Sequence, residues 1–189
     1  MKTRLTLVRH GQTAKNVKGV LHSRSDESVL SELGRRQISV TARRLKGEGV
    51  DLIYSSKETR ALESARLIAE VLGKEPRPLD GLEERNWGVF EGRPWSEVKA
   101  VLDPLDSEQR YEYVPENGES WKDFETRTNK VIKEIIDENQ GKNIVIVTHG
   151  GVIRVLLPHL LHAPKEESFK YDPKNASVTI LDYYGEDAR

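Results

Sequence analysis

The sequence predicts an α/β domain, a three-layer α/β/α sandwich in which helices cover both faces of a mostly parallel sheet. Short β-branched runs alternate along the chain with longer amphipathic helical patterns, which is typical of layered α/β domains. The run at residues 144–147 is apolar at every position, as expected of a strand buried on both faces in a parallel sheet. A length of 189 residues suits one domain, residues 1–189.

Four strands and four helices are predicted in order. The predicted strands are residues 5–8, 50–54, 144–147 and 177–183. The predicted helices begin after Ser31, near residue 58, at Ser120 and after Gly151; the first ends near Gly47 and Gly49, the second at Gly73 and the fourth near residue 161. Ser31 and Ser120 are good N-cap residues, and glycine commonly follows a helix C-terminus.

Residues 85–118 have a different composition from the rest of the chain. They are rich in Trp, Pro and charged residues and show only weak periodicity. An irregular stretch of this length inside a compact domain is usually functional. We therefore predict that residues 85–118 form a lid or binding insertion.

Composition excludes several classes of function. Thirty Lys and Arg balance 31 Asp and Glu, giving a net charge of −1, so we expect no general affinity for nucleic acid or for an acidic membrane surface. The absence of cysteine excludes disulfides, thiolate metal sites and cysteine nucleophiles. We see no signal peptide or membrane span and expect a cytoplasmic location by default.

Two strand ends carry the same pattern. Residues 7–11 and 146–150 each place a histidine, His10 or His149, after a predicted buried strand and before a glycine. Ligands of open α/β sheets bind beyond the carboxyl ends of the strands, so both imidazoles should face one cleft. Gly11 and Gly150 would let a ligand approach the backbone closely.

Arginines are expected at the same cleft. Arg9 precedes His10, and Arg60 lies in the first turn of the helix after the 50–54 strand. Guanidinium groups match the oxygens of phosphate, so a phosphoryl group is the simplest ligand. A metal site made by the two histidines and Glu84 is a rival interpretation, although Arg9 would repel a divalent cation.

At this point the chain resembles the histidine phosphatase superfamily, the phosphoglycerate mutase-like proteins. The matching residues are Arg9-His10-Gly11, Asn16, Ser55-Ser56 with Arg60-Ala61, Glu84 with Gly88, Glu91 and Gly92, Gly118-Glu119-Ser120, and Thr148-His149-Gly150-Gly151-Val152. Their order and spacing extend the resemblance over almost the whole chain. The resemblance also implies one antiparallel strand, for which residues 177–183 are the candidate.

The resemblance implies a mechanism that agrees with the residues themselves. His10 would attack phosphorus and become phosphohistidine, while Arg9, Arg60 and His149 would hold the phosphoryl oxygens. Glu84 would act as acid and then as base. Glu83 is an alternative acid, and the family spacing before Gly88 favours Glu84.

Other positions bear on the substrate. Asn16 would contact the phosphoryl group. His22 falls where some phosphatases of the family carry a glutamine that contacts substrate, so it is either a pocket residue or a solvated loop histidine. The region that selects the substrate would be residues 85–118.

The predicted function is hydrolysis of a small phosphorylated metabolite, without a metal or other cofactor. The alternative is a phosphoglycerate mutase, which would need 2,3-bisphosphoglycerate. Mutases of the family usually have a longer chain, with a larger insertion after the residue that corresponds to Glu84. A catalytically inactive module that binds a phosphorylated partner is a third possibility, although every expected catalytic residue is present. The sequence identifies neither the substrate nor the oligomeric state.

Overall fold

The central sheet is mixed and places the strands in the order β3-β2-β4-β1-β5-β6. The computed structural model describes residues 1–184 and the backbone of residues 187–188. Within them the strands are Thr3–Arg9 (β1), Leu52–Ser55 (β2), Pro76–Pro78 (β3), Asn143–Thr148 (β4), Val178–Tyr184 (β5) and Asp187–Ala188 (β6). Strands β1 to β4 pair in parallel, and β5 runs antiparallel to β1. The predicted sheet and its C-terminal antiparallel strand are therefore confirmed.

Helices alternate with these strands. They are Ala14–Lys18 (α1), Glu32–Leu45 (α2), Thr59–Leu72 (α3), Trp95–Leu102 (α4), Ser107–Glu112 (α5), Trp121–Glu138 (α6) and Gly150–Leu160 (α7), with 3₁₀ turns at Gly88–Phe90 and Lys165–Phe169. Ser31 caps α2 and Ser120 caps α6, each accepting a backbone N–H of the first turn. Gly73 follows α3 in the left-handed conformation. The four predicted helices are confirmed as α2, α3, α6 and α7.

Strand β4 shows how the sheet holds its two helical layers. Ile144 and Ile146 join the apolar cluster formed with α6 and α7. Val145 and Val147 point the other way, into the cluster formed with α2 and α3. All four side chains are fully buried, as expected for a central strand with both faces covered. The predicted three-layer sandwich is thus confirmed.

Residues 85–118 are more ordered than the sequence pattern indicates. They contain α4, α5 and a 3₁₀ turn, and Trp87, Phe90 and Val98 form a small apolar cluster of their own. Helices of eight and six residues are too short to show a clear helical period in the sequence. The prediction of an irregular stretch was wrong in this respect.

The carboxyl ends of the parallel strands meet at one edge of the sheet. The His10 N–H donates to the carbonyl of Thr148 at 2.9 Å, and the Ser56 N–H donates to that of Val147 at 3.0 Å. These bonds fix the ends of β1, β2 and β4 side by side.

Within the described residues, none of the helices has the length and apolar character needed to cross a membrane.

Candidate active site

A cleft of about 350 Å³ opens beyond these strand ends. Seven of the nine predicted site residues line it: Arg9, His10, Asn16, His22, Arg60, Glu84 and Gly150. His149 lies next to them, with its ring centroid 5.3 Å from that of His10. The structure therefore brings eight of the nine together.

Gly11 is the exception, because it packs against a helix and does not line the cleft. Its N–H donates to Ser64 Oγ at 3.1 Å. A Cβ at this position would lie 2.5 Å from the carbonyl oxygen of Gly34 in α2. Close packing of the turn after β1 against α2 explains this glycine, and the predicted approach of a ligand to its backbone does not.

His10 presents one specific nitrogen to the cleft. Its Nδ1 lies 2.8 Å from the carbonyl oxygen of Gly11, and since a carbonyl only accepts, Nδ1 carries the proton. The lone pair is therefore on Nε2. Burial first, and then the positive charges of Arg60, His149 and Arg9, hold the pKa of His10 well below 6.5. A neutral imidazole with a free Nε2 is a nucleophile.

Two arginines leave buried donors without a protein partner. Arg60 is 1% exposed, and its Nη2 donates to Glu58 Oε2 at 3.1 Å. Among the described residues, nothing accepts a hydrogen bond from Arg60 Nε, Arg60 Nη1 or Arg9 Nε. Arg9 is held by its Nη1, which donates to the carbonyl of Pro173 at 2.7 Å. Buried unpaired donors are costly, so these groups fit an anion with several oxygens.

His149 is more enclosed than His10. It is fully buried, and its Nε2 lies 2.9 Å from Ser56 Oγ and 2.5 Å from Glu58 Oε2. Within the described part of the chain, its Nδ1 is buried and lacks a partner. His149 is also the N-cap residue of α7, so the N-terminus of that helix begins at the cleft.

Glu84 lies at the cleft, and Glu83 is not among the residues that line it. Glu84 lines the cleft; its Oε2 accepts the N–H of Gly151 at 3.0 Å and its Oε1 that of Arg85 at 2.9 Å. Glu83 instead accepts the N–H of Gly81 at 2.8 Å and faces Arg127. The geometry thus favours the choice of Glu84.

Asn16 and His22 form one hydrogen-bonded group with Thr13. Asn16 Oδ1 accepts from the Thr13 N–H at 3.0 Å and from Asn175 Nδ2 at 3.2 Å, which leaves its amide N–H groups for a ligand. His22 Nε2 lies 2.8 Å from Thr13 Oγ1. Burial, followed by the charge of Arg60, lowers the pKa of His22 to about 3. His22 therefore faces the cleft as a neutral ring.

Glu58 and Arg154 belong to the surroundings of the site and were not predicted from the sequence. Glu58 is buried between Arg60 and His149, and its position two residues before Arg60 was the available signal. Arg154 lines the cleft from α7, with Nε donating to the carbonyl of Ser168 at 3.0 Å. Its Cζ lies 5.2 Å from the ring centroid of Trp121, and Trp87 and Trp95 line the same cleft.

The rival metal site does not assemble. Across the described residues, no group of three or more His, Asp or Glu side chains is arranged to hold a metal ion. Arg9 and Arg60 both line the cleft, where their charge opposes a divalent cation.

Comparison with known proteins decides the family. The model of the histidine phosphatase superfamily (branch 1) matches residues 5–189. The chain belongs to this superfamily. It is 31% identical over 186 residues to a putative phosphoserine phosphatase 2 of Hydrogenobacter thermophilus, covering 97% of this chain and 91% of that relative. It is 33% identical over 178 residues to a 2,3-bisphosphoglycerate-dependent phosphoglycerate mutase of Thermoplasma acidophilum, covering 93% and 85%.

A solved structure gives the same result. A mycobacterial glucosyl-3-phosphoglycerate phosphatase, described as complexed with VO3, superposes with a TM-score of 0.83 at 30% identity, covering 94% of this chain and 92% of that one. The predicted phosphoglycerate mutase-like fold is confirmed, and this member of the superfamily is an enzyme of the phosphomonoesterase type.

Proposed function

We propose that this histidine phosphatase hydrolyses a small phosphorylated metabolite through a phosphohistidine formed on Nε2 of His10. The observation that carries the proposal is the pairing of a free His10 Nε2 with unpartnered donors on Arg9 and Arg60. Those donors suit the equatorial oxygens of a phosphoryl group, whose charge they would stabilise in the transition state.

In the first step, the lone pair of His10 Nε2 forms a bond to phosphorus while the ester P–O bond breaks. Glu84 gives its proton to the leaving alkoxide, and the alcohol departs. In the second step, Glu84 takes a proton from water as the water oxygen attacks phosphorus. The N–P bond breaks, inorganic phosphate leaves, and His10 and protonated Glu84 are restored. Acid–base help of this kind contributes about 10²–10⁴-fold.

Phosphoglycerate mutase activity is the second candidate, because relatives of the chain bear that name. A mutase would require 2,3-bisphosphoglycerate to phosphorylate its histidine. We favour hydrolysis because the segment after Glu84 is short and already forms its own small apolar cluster. With 3-phosphoglycerate as substrate, release of free phosphate supports hydrolysis, and formation of 2-phosphoglycerate supports the mutase.

Further predictions made from the sequence belong to the same proposal. We propose that no metal or cofactor takes part in hydrolysis, and that Trp87, Trp95 and the rest of residues 85–118 select the substrate. Specific binding to nucleic acid is not expected of this chain, and a cytoplasmic location stays a prediction from the sequence.

A panel of phosphorylated metabolites tests the proposal directly. Phosphate release is measured with the wild type and His10→Ala, with and without a chelator. We expect at least one small monoester to be turned over by the wild type alone, and chelator to have no effect. Equal activity of His10→Ala, or loss of wild-type activity with chelator, would contradict the mechanism.

A further inference from the structure

Glu58 is a buried acid that the proposed mechanism does not use. It is 7% exposed and precedes the first residue of α3. Its Oε2 lies 2.5 Å from His149 Nε2, accepts from Arg60 Nη2 at 3.1 Å and accepts the N–H of Glu84 at 3.1 Å. One carboxylate oxygen therefore contacts three residues of the candidate site.

The surroundings of Glu58 favour its ionised form. Burial alone would raise the pKa of Glu58, but the charges and hydrogen bonds of His149 and Arg60, together with the Glu84 N–H, lower it overall. A buried carboxylate is tolerated only when it is paired and hydrogen-bonded. Ser56 completes the surroundings, because its Oγ accepts the Glu58 N–H at 3.2 Å.

The contact with His149 fixes the orientation of that ring. A carboxylate oxygen at 2.5 Å from Nε2 would be repelled by a lone pair, so Nε2 carries a proton. Among the described residues, Nδ1 of His149 is buried without a partner, so Nδ1 is the ring nitrogen left to meet a phosphoryl group.

The contact with Arg60 orients the guanidinium in the same way. Glu58 engages Nη2, and the two nitrogens that remain unpartnered within the described chain are Nε and Nη1. A guanidinium is planar, so holding one nitrogen directs the others. The bond to the Glu84 N–H ties the candidate acid to the same carboxylate.

We propose that Glu58 is a positioning residue, which holds Nε2 of His149 and Nη2 of Arg60 so that the unpartnered nitrogens of both side chains face the phosphoryl group. This inference rests on the proposed function of the cleft. Glu58 acts through His149 and Arg60 and makes no contact with the reacting atoms.

The first test follows the His149 ring without substrate. Proton and nitrogen-15 NMR of the ring is recorded for the wild type, Glu58→Gln and the control Glu63→Gln. Glu63 lies in α3 and accepts from Arg35 and the Leu30 N–H outside the cleft. We expect the signal of the proton on His149 Nε2 to be the same in the wild type and Glu63→Gln and to move upfield in Glu58→Gln, because the carboxylate that faces this proton is gone. An unchanged Nε2–H signal in Glu58→Gln would overturn the proposal.

The second test measures kcat and KM separately on a monoester that the wild type hydrolyses. In Glu58→Gln, kcat should fall while KM stays near the wild-type value, because His149 and Arg60 stabilise charge in the transition state; Glu63→Gln should keep both constants. An equal loss of activity in Glu58→Gln and Glu63→Gln would mean a general structural effect and would overturn the inference. Should Glu58→Gln not fold, Glu58→Leu replaces it. If the wild type hydrolyses no monoester, the proposed function fails, and the NMR signal of the His149 ring still decides the role of Glu58.

Discussion

His10 and His149 follow buried strands in nearly the same sequence context, yet their hydrogen-bond partners differ. His10 gives its Nδ1 proton to the carbonyl of Gly11 and keeps a lone pair on Nε2. His149 places Nε2 against Ser56 and the Glu58 carboxylate. The carbonyl partner of His10 leaves the lone pair on Nε2, whereas the partners of His149 occupy Nε2 and leave Nδ1 without a partner among the described residues. The motif thus locates the two rings, and their partners decide what each ring does.

The largest effect should come from removing the nucleophile. We expect His10→Ala to lower kcat by about 10⁴-fold or more, as for other enzymes that lose a nucleophile. Phosphate release is the assay, and circular dichroism checks that the variant folds. If His10→Ala stayed within about tenfold of the wild type, His10 would not differ from His149 in the way described.

The next effect concerns the acid that serves both steps. Glu84→Gln should lower kcat by about 10²–10⁴-fold, because the leaving alkoxide would depart without a proton. The control Glu83→Gln replaces the neighbouring acid, which faces Arg127, and should keep nearly full turnover. The opposite result, with only Glu83→Gln impaired, would move the acid to Glu83.

A smaller effect is expected at the second histidine. His149→Gln removes one donor to the phosphoryl oxygens and should lower kcat by about 10²–10³-fold. His10 should still become phosphorylated, although more slowly. Single-turnover labelling measures this, and a His149→Gln enzyme that never carries phosphate would show that His149 is itself the acceptor.

The smallest effect is on stability in acid. The pKa of His22 is lowered to about 3 by burial and then by Arg60, so below pH 6.5 the unfolded chain binds a proton that the folded chain does not. Stability is therefore lost as the pH falls from 6.5, by at most about 1.4 kcal/mol for each pH unit. His22→Asn should lose less stability between pH 7 and pH 5 by urea unfolding. Equal losses of stability in the variant and the wild type would mean that His22 takes up its proton as readily in the folded chain as in the unfolded chain.

Much of the site follows from local sequence. The carboxyl ends of parallel strands meet at one edge, so the residues after β1, β2 and β4 had to be neighbours. This argument placed His10, His149 and Arg60 correctly. It misplaced Gly11, because the packing of Gly34 against that turn depends on a helix distant in sequence.

Other features depend on contacts between residues distant in sequence, which a local sequence pattern does not reveal. Glu58 belongs to the site only because β2 and β4 are adjacent, which brings its carboxylate to His149. Strand β3 was missed because it contains Pro76 and Pro78, which argue against a strand interior. The prolines are tolerated here because β3 lies at the edge of the sheet.

The most direct test of the central claim is to locate the phosphate on the enzyme during turnover. Wild-type enzyme mixed with a hydrolysed monoester is quenched in alkali within one turnover, digested and analysed by mass spectrometry. The account predicts phosphate on the peptide that contains His10, lost in acid as a phosphohistidine would be, and absent from His10→Ala. Phosphate on the peptide that contains His149, or hydrolysis by His10→Ala at the wild-type rate, would contradict it.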